Sequence, residues 1–207
     1  MKKLLTIILS SIATVGLSFL VILGSPILLP NKVSDVASTQ AQVTNATLAA
    51  GPPVQVDEVT PVDASYSLVI PKIGVNSRII DNVDPFNANS YMPALNRGVA
   101  RSNTSMQPDQ GGNTFFFAHS AKDAAEARHY RSIFWQLTSL AVGDKIYVFY
   151  QGHEYVYVVS NVNIVPQTAT DILNYQAGKP MVTLMTCWPP GVDYKRQLVF
   201  GDLIFTK

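Results

Sequence analysis

Hydrophobic and polar positions divide the chain into three stretches of different character. Residues 4–30 carry no charge, and residues 4–23 are their most apolar part. About 20 apolar residues are needed to cross a bilayer as a helix, and this run supplies them, so 1–30 reads as a transmembrane helix preceded by a lysine pair. Residues 31–64 turn to Ser, Thr, Ala, Gln, Val and Pro with no sustained period, the pattern of a flexible stalk rather than of a core. From residue 65 to residue 207, short apolar runs recur between turn signals, and the folded domain is placed there.

Within that domain most runs have strand character. YSLVIPKIGV at 66–75 is β-prone on both sides of Pro71, which predicts an edge strand or a bend, and residues 76–83 continue in the same style. Residues 84–95 read as a loop with one helical turn, 98–100 as a short strand and 101–112 as loop. NTFFFAHS at 113–120 sets three consecutive phenylalanines in a strand that is buried on both faces or bounded by turns. Ile133, Phe134, Leu137 and Leu140 fall at helical spacing and predict one short amphipathic helix over 131–140. KIYVFY at 145–150 and EYVYVVSNVNIV at 154–165, joined through Gly152, predict a hairpin. Residues 181–187, a Trp-Pro-Pro-Gly turn and residues 197–200 read as strand, loop, strand, and a last β-prone run covers 201–206. The sum is an all-β domain of about eight strands with one or two short helices, spaced as in a closed or nearly closed barrel. The pattern leaves the strand order open.

Charge changes the picture at the amino terminus. Lys2 and Lys3 precede the apolar run and no charge falls within it, which places the amino terminus in the cytoplasm and the body outside. A cleaved signal peptide is the alternative, kept open by small residues near Ala37 and Ala49. Either way the folded domain is exported. Elsewhere the formal net charge of +1 gives no bulk attraction for nucleic acid. Internal repeats, zinc-type cysteine spacing, a P-loop and a glycine-rich dinucleotide fingerprint are all missing from the sequence.

The chain has one cysteine, Cys187. A lone cysteine is most often a small buried hydrophobe. In an exported protein, however, it forms no internal disulfide, which leaves an intermolecular link or a reactive thiol. Cys187 ends one predicted strand and Arg196 begins the next, so if the strands are neighbours the two face each other across one loop. A fixed positive charge beside a thiol favours thiolate and can steady an oxyanion. His119 stands where the phenylalanine strand opens into a loop, a place suited to proton transfer; the alternative is a histidine that only ends a strand. His129 and His153 read as surface residues. Thr186, beside the cysteine, either orients an intermediate or packs as a β-branched strand residue. Asp171 alone makes no metal site, and no compact acidic cluster stands out.

TLMTC followed nine residues later by Arg196, the histidine of FFFAHS, LVIPKIGVNSRI near the domain start and the IFWQL…GDKIYV run together resemble the sortase family. The resemblance covers roughly 65–207 and keeps the order His, Cys, Arg. It implies an extracytoplasmic cysteine transpeptidase on an eight-stranded β-barrel, with Cys187 as nucleophile, His119 as general acid and base, and Arg196 holding the oxyanion or the substrate. It further implies a membrane-anchored enzyme that cleaves a C-terminal, LPXTG-like sorting signal of secreted proteins. The acyl group then passes to an amine of a cell-wall precursor or of a pilin. No cofactor is implied beyond the calcium activation known in some members. Ala118 stands where members often have glycine, the loop before the cysteine strand shows no inserted helix of the class B kind, and no second apolar segment follows Phe205 as in class C. WPPG assigns no class, so the subclass stays open. Two rival readings remain: a thiol protease that hydrolyses the same signal, and a non-catalytic membrane-anchored binding module with an inert cysteine.

Overall fold

A computed structural model describes residues 58–207 of the protein, except residue 177 and the side chain of Tyr130. The transmembrane helix expected over 1–30, and the stalk expected over 31–64 except its last residues, lie outside the described residues. Among the described residues no helix is long and apolar enough to cross a membrane.

Pro71 bends the first β-prone run in two. Strand β1 is Tyr66–Ile70 and β2 is Val75–Val83, with a 3-10 turn at Pro71–Ile73 between them. Proline suits the first position of such a turn because its missing N–H has no partner there anyway. Gly74 closes the turn in the left-handed region, φ 64°, which glycine enters without strain. The remaining strands are β3 (Val99–Ser102), β4 (Asn113–Phe117), β5 (Lys145–Tyr150), β6 (His153–Pro166), β7 (Met181–Trp188) and β8 (Lys195–Thr206). They close into a barrel in the order β1-β2-β3-β4-β7-β8-β6-β5. The expected all-β, eight-stranded class is therefore observed, with two short α-helices, α1 (Ala88–Leu95) and α2 (Ala124–Tyr130). The β5–β6 hairpin turns on Gln151 and Gly152, both with positive φ, the backbone that matches strand twist in a two-residue turn.

Three local expectations need correction. Residues 88–95 form a full helix rather than a loop with one turn; the Asn87 side chain accepts from Asn89 N at 3.0 Å and caps its start. Residues 131–140 form no α-helix. Arg131 ends α2 in the left-handed region, and beyond it only Leu137–Ser139 makes a 3-10 turn. Phe134, Leu137 and Leu140 are nevertheless buried within the barrel's interior cluster, so their spacing satisfies burial at the end of the barrel without needing a helix. Lastly, 197–200 and 201–206 are one strand. β8 runs straight through Gly201, and its pairing with β6 shifts register opposite that point, as a β-bulge does.

The triple phenylalanine is explained by cover on both faces. Phe116 points into the barrel with Leu68, Val99 and Leu184. Phe115 and Phe117 belong to an outer cluster with Leu95 of α1, Leu173 and Leu198. Burying each ring is worth about 1.5–3 kcal/mol, which fixes β4 firmly. Its pairings decide where chemistry can sit. β4 runs parallel to β7, and β7 runs antiparallel to β8. The ends of β4 and β7 and the beginning of β8 therefore share one rim of the barrel.

Candidate active site

That rim carries the three residues singled out in the sequence. Cys187 is the last residue but one of β7, and Arg196, the second residue of β8, is its register partner. His119 lies two residues past the end of β4. The short segment that holds it is clasped by backbone. Ala118 N donates to Met185 O at 3.2 Å, which extends the β4–β7 pairing, and Phe134 N donates to His119 O at 3.1 Å. Thr186 is 3% exposed, and its hydroxyl donates to Ala118 O at 2.9 Å. Across β8 from it, the buried Gln197 donates through Nε2 to Leu137 O at 3.2 Å. Thr186 thus pins the segment that carries the histidine.

Cys187, His119 and Arg196 line one cleft of about 380 Å³, with Tyr91 and Leu95 of α1 on its apolar side. Asp193 lines it too, a residue that the sequence reading did not single out. Its Oδ1 accepts from Arg196 Nη1 in an ion pair and from Cys187 Sγ at 3.6 Å. The available signal was an acid three residues before the arginine, but only the loop's path brings that acid onto the thiol.

The electrostatics differ from the simple expectation that Arg196 favours thiolate. Burial pushes the Cys187 thiol up, Arg196 pulls it down, and the charge and hydrogen bond of Asp193 push it up again; the net direction is upward. His119 is held below the ordinary histidine range by burial. At neutral pH the cleft therefore holds a thiol and a neutral imidazole at rest. Such a pair can still react, because the imidazole is free to take the proton as sulfur attacks.

His129 on α2 and His153 at the start of β6 are exposed, and neither lines the cleft. Asp171 is exposed in the 3-10 turn Thr170–Asn174. Among the described residues no group of three or more His, Cys, Asp or Glu is placed to hold a metal ion.

The sortase domain model matches residues 68–204, which is more than half of the chain. The chain belongs to the sortase family. It is 37% identical to sortase A of Bacillus anthracis over 75 residues, 36% of this chain and 35% of that protein. It is 27% identical to sortase D of Bacillus subtilis (strain 168) over 144 residues, 68% of this chain and 64% of that protein. The chain thus spans less than two thirds of the length of either sortase. Sortase C-1 from Actinomyces oris has a similar structure, with TM-score 0.56 and 28% identity over 70% of this chain and 76% of that one. Listeria monocytogenes sortase A, at TM-score 0.56 and 23% identity over 70% of this chain and 90% of that one, shares the fold. These sortases carry the class letters A, C and D, so the comparison singles out no subclass.

Proposed function

We propose that the protein is a membrane-anchored cysteine transpeptidase that acts outside the cytoplasm on a C-terminal sorting signal of secreted proteins. The observation that carries this reading is the convergence of Cys187, His119 and Arg196 on one cleft at one barrel rim. As sulfur attacks the scissile carbonyl, His119 takes the thiol proton. The carbonyl oxygen gains negative charge, which Arg196 stabilises once it turns from Asp193 towards the substrate. His119 then returns the proton to the departing amine, and a thioacyl enzyme remains. An incoming amine next forms a C–N bond as the C–S bond breaks, and the sulfur is protonated again. The thioester conserves acyl activation, so no nucleotide is needed. By family likeness the signal is LPXTG-like, and the acceptor is an amine of a cell-wall precursor or of a pilin. The amino-terminal lysine pair and apolar run support the membrane anchor and the exported domain.

The test is mass spectrometry of the full chain incubated with a pool of LPXTG-type peptides, with and without a primary amine. A thioacyl adduct on Cys187 and a new amide are expected, and Cys187→Ala abolishes both. Arg196→Lys is expected to lower kcat/KM by about 100- to 1000-fold, the scale of losing one oxyanion donor, because an ammonium does not reproduce the planar fork. Hydrolysis alone at saturating amine would favour a thiol protease. Failure to form an adduct, together with a thiol that resists alkylation in the folded state, would leave a non-catalytic binding module.

A further inference from the structure

A groove of about 380 Å³ lies on the outer face of β6 and β8, where Asn161, Asn163, Tyr175, Lys179, Phe200 and Asp202 line it. It shares no lining residue with the cleft that holds Cys187. Met181 pairs with Asp202 at the groove, and Cys187 pairs with Arg196 six positions further along β7, so about 20 Å of strand separates the two. Val162 packs on the barrel's interior cluster, and its neighbours Asn161 and Asn163 therefore face outward. Among the described residues neither amide side chain has a protein partner, which leaves their carbonyl and NH2 groups open to the groove. Lys179 and Asp202 are ion-paired at 2.6 Å, so the lining offers donors and acceptors without net charge.

Tyr175 supplies an aromatic ring that is held in place. The residue is 45% exposed, yet its ring packs edge-on against Phe200, with centroids 6.2 Å apart and planes at 77°. Its carbonyl accepts from Asn113 Nδ2 at 3.0 Å, and Asn113 N donates to the side chain of the next residue, Gln176, at 2.9 Å. Asn113 is itself 0% exposed, and Thr183 Oγ1 donates to its Oδ1 at 2.9 Å, which orients the amide. This buried network lies at the start of β4 and β7, the far end of both strands from His119 and Cys187. What it positions is the segment that carries Tyr175.

A fixed, exposed ring beside open amides and a neutralised charge pair selects its ligand by exclusion. An ion finds no net charge to hold it, and a wholly apolar ligand would strip water from amides that it cannot pair. A molecule with a flat C–H face and hydroxyl groups round its edge meets both conditions. We propose that this groove binds a neutral glycan, with one pyranose ring lying on Tyr175 and its edge hydrogen-bonded by Asn161, Asn163 and the Lys179–Asp202 pair. The binding does not depend on the acyl-transfer reading. In an exported enzyme its role is to hold the domain against cell-surface carbohydrate, which raises the local concentration of whatever the distant cleft acts on there.

The test is isothermal titration calorimetry of the full chain with chitotetraose, whose pyranose rings are N-acetylated, and with cellotetraose, which has the same linkage without acetamido groups. Binding of chitotetraose is expected. Tyr175→Ala should weaken it about tenfold, the scale of one stacked ring, whereas Tyr175→Phe keeps the ring and should change it by less than about twofold. Asn163→Ala alters an exposed side chain with no protein bond to lose, and should weaken binding by about three- to tenfold. Capping Cys187 with iodoacetamide should leave binding unchanged. Equal affinity for the two sugars supports recognition of the ring and its hydroxyls, and tighter binding of chitotetraose supports recognition of the acetamido group as well. No binding of either sugar at millimolar concentration, or equal affinity in wild type and in both Tyr175→Ala and Asn163→Ala, overturns the proposal. So does loss of binding when Cys187 is capped, which would put the sugar in the cleft instead. No peptide is present, so failure here leaves the acyl-transfer reading standing, and a chain that forms no thioacyl adduct can still show the glycan site.

Discussion

Asp193 places one negative charge between a thiol and a guanidinium, and its two contacts have opposite consequences. Pairing with Arg196 holds the guanidinium near the cleft, while the hydrogen bond from Cys187 favours the protonated sulfur. The carboxylate is mostly exposed, 69% for its side chain, so the pair is screened by solvent and weakly held. Asp193→Asn removes a charge that raises the thiol, so thiolate forms at lower pH. Iodoacetamide should accordingly label the variant faster than wild type at neutral pH, and the rise of labelling with pH should begin earlier. Equal labelling profiles would show that Asp193 does not raise the thiol. Wild-type labelling should itself begin at higher pH than that of an exposed cysteine, because burial and Asp193 together outweigh Arg196. Cys187, His119 and Arg196 were legible in the sequence because each sits at a strand end, and strand ends follow from pattern. Asp193 was not, because nothing in its neighbours' periodicity says where an irregular loop will pass.

At the scale of elements, the site depends on how the end of β4 is fastened to β7. One side-chain hydrogen bond, from Thr186 to Ala118 O, adds to the backbone bonds on either side of it. Thr186→Val keeps the shape and removes the bond, at a cost of about 1 kcal/mol. The larger effect is expected in turnover: kcat falling about tenfold with KM for the donor peptide little changed, as when a general base is slightly misplaced. Thr186→Ser restores the hydroxyl and should restore most of kcat. If it does not, Thr186 matters through its methyl group. The same scale shows why some elements were readable and others were not. Alternation and aromatic runs identified β4, β5, β6 and β7, since few structures other than strands bury such sequences. Phe134, Leu137 and Leu140 misled because helical spacing is also what an irregular segment shows when it closes a barrel end. Residues 88–95 misled the other way: Asn87 is a good cap, but Pro93 inside the helix reads as a breaker.

For the molecule as a whole, the barrel interior and the rim that carries the cleft are distinct regions, and Gly201 allows their contributions to be separated by experiment. In the sequence Gly201 opens the last β-prone run; in the structure it is a point of close approach within one strand. Its φ is not positive, so alanine fits the backbone, but the added Cβ would lie 3.0 Å from Val182 Cγ1 and 3.2 Å from Tyr157 Cβ. Both neighbours are buried at 0–1% exposure in the interior cluster, where little can yield. Overpacking of this kind costs about 1–3 kcal/mol. For a domain of this size, Tm should fall by roughly 2–4 °C for each kcal/mol lost. Val182 lies on β7 five residues before Cys187, and the rim beyond it is fastened independently through Thr186 and Ala118. Gly201→Ala should therefore lower Tm by several degrees while acyl transfer, measured well below the transition, keeps its wild-type kcat/KM. A matching loss of kcat/KM in fully folded protein would show that strain in the interior reaches the rim along β7, and that the two contributions are not separate.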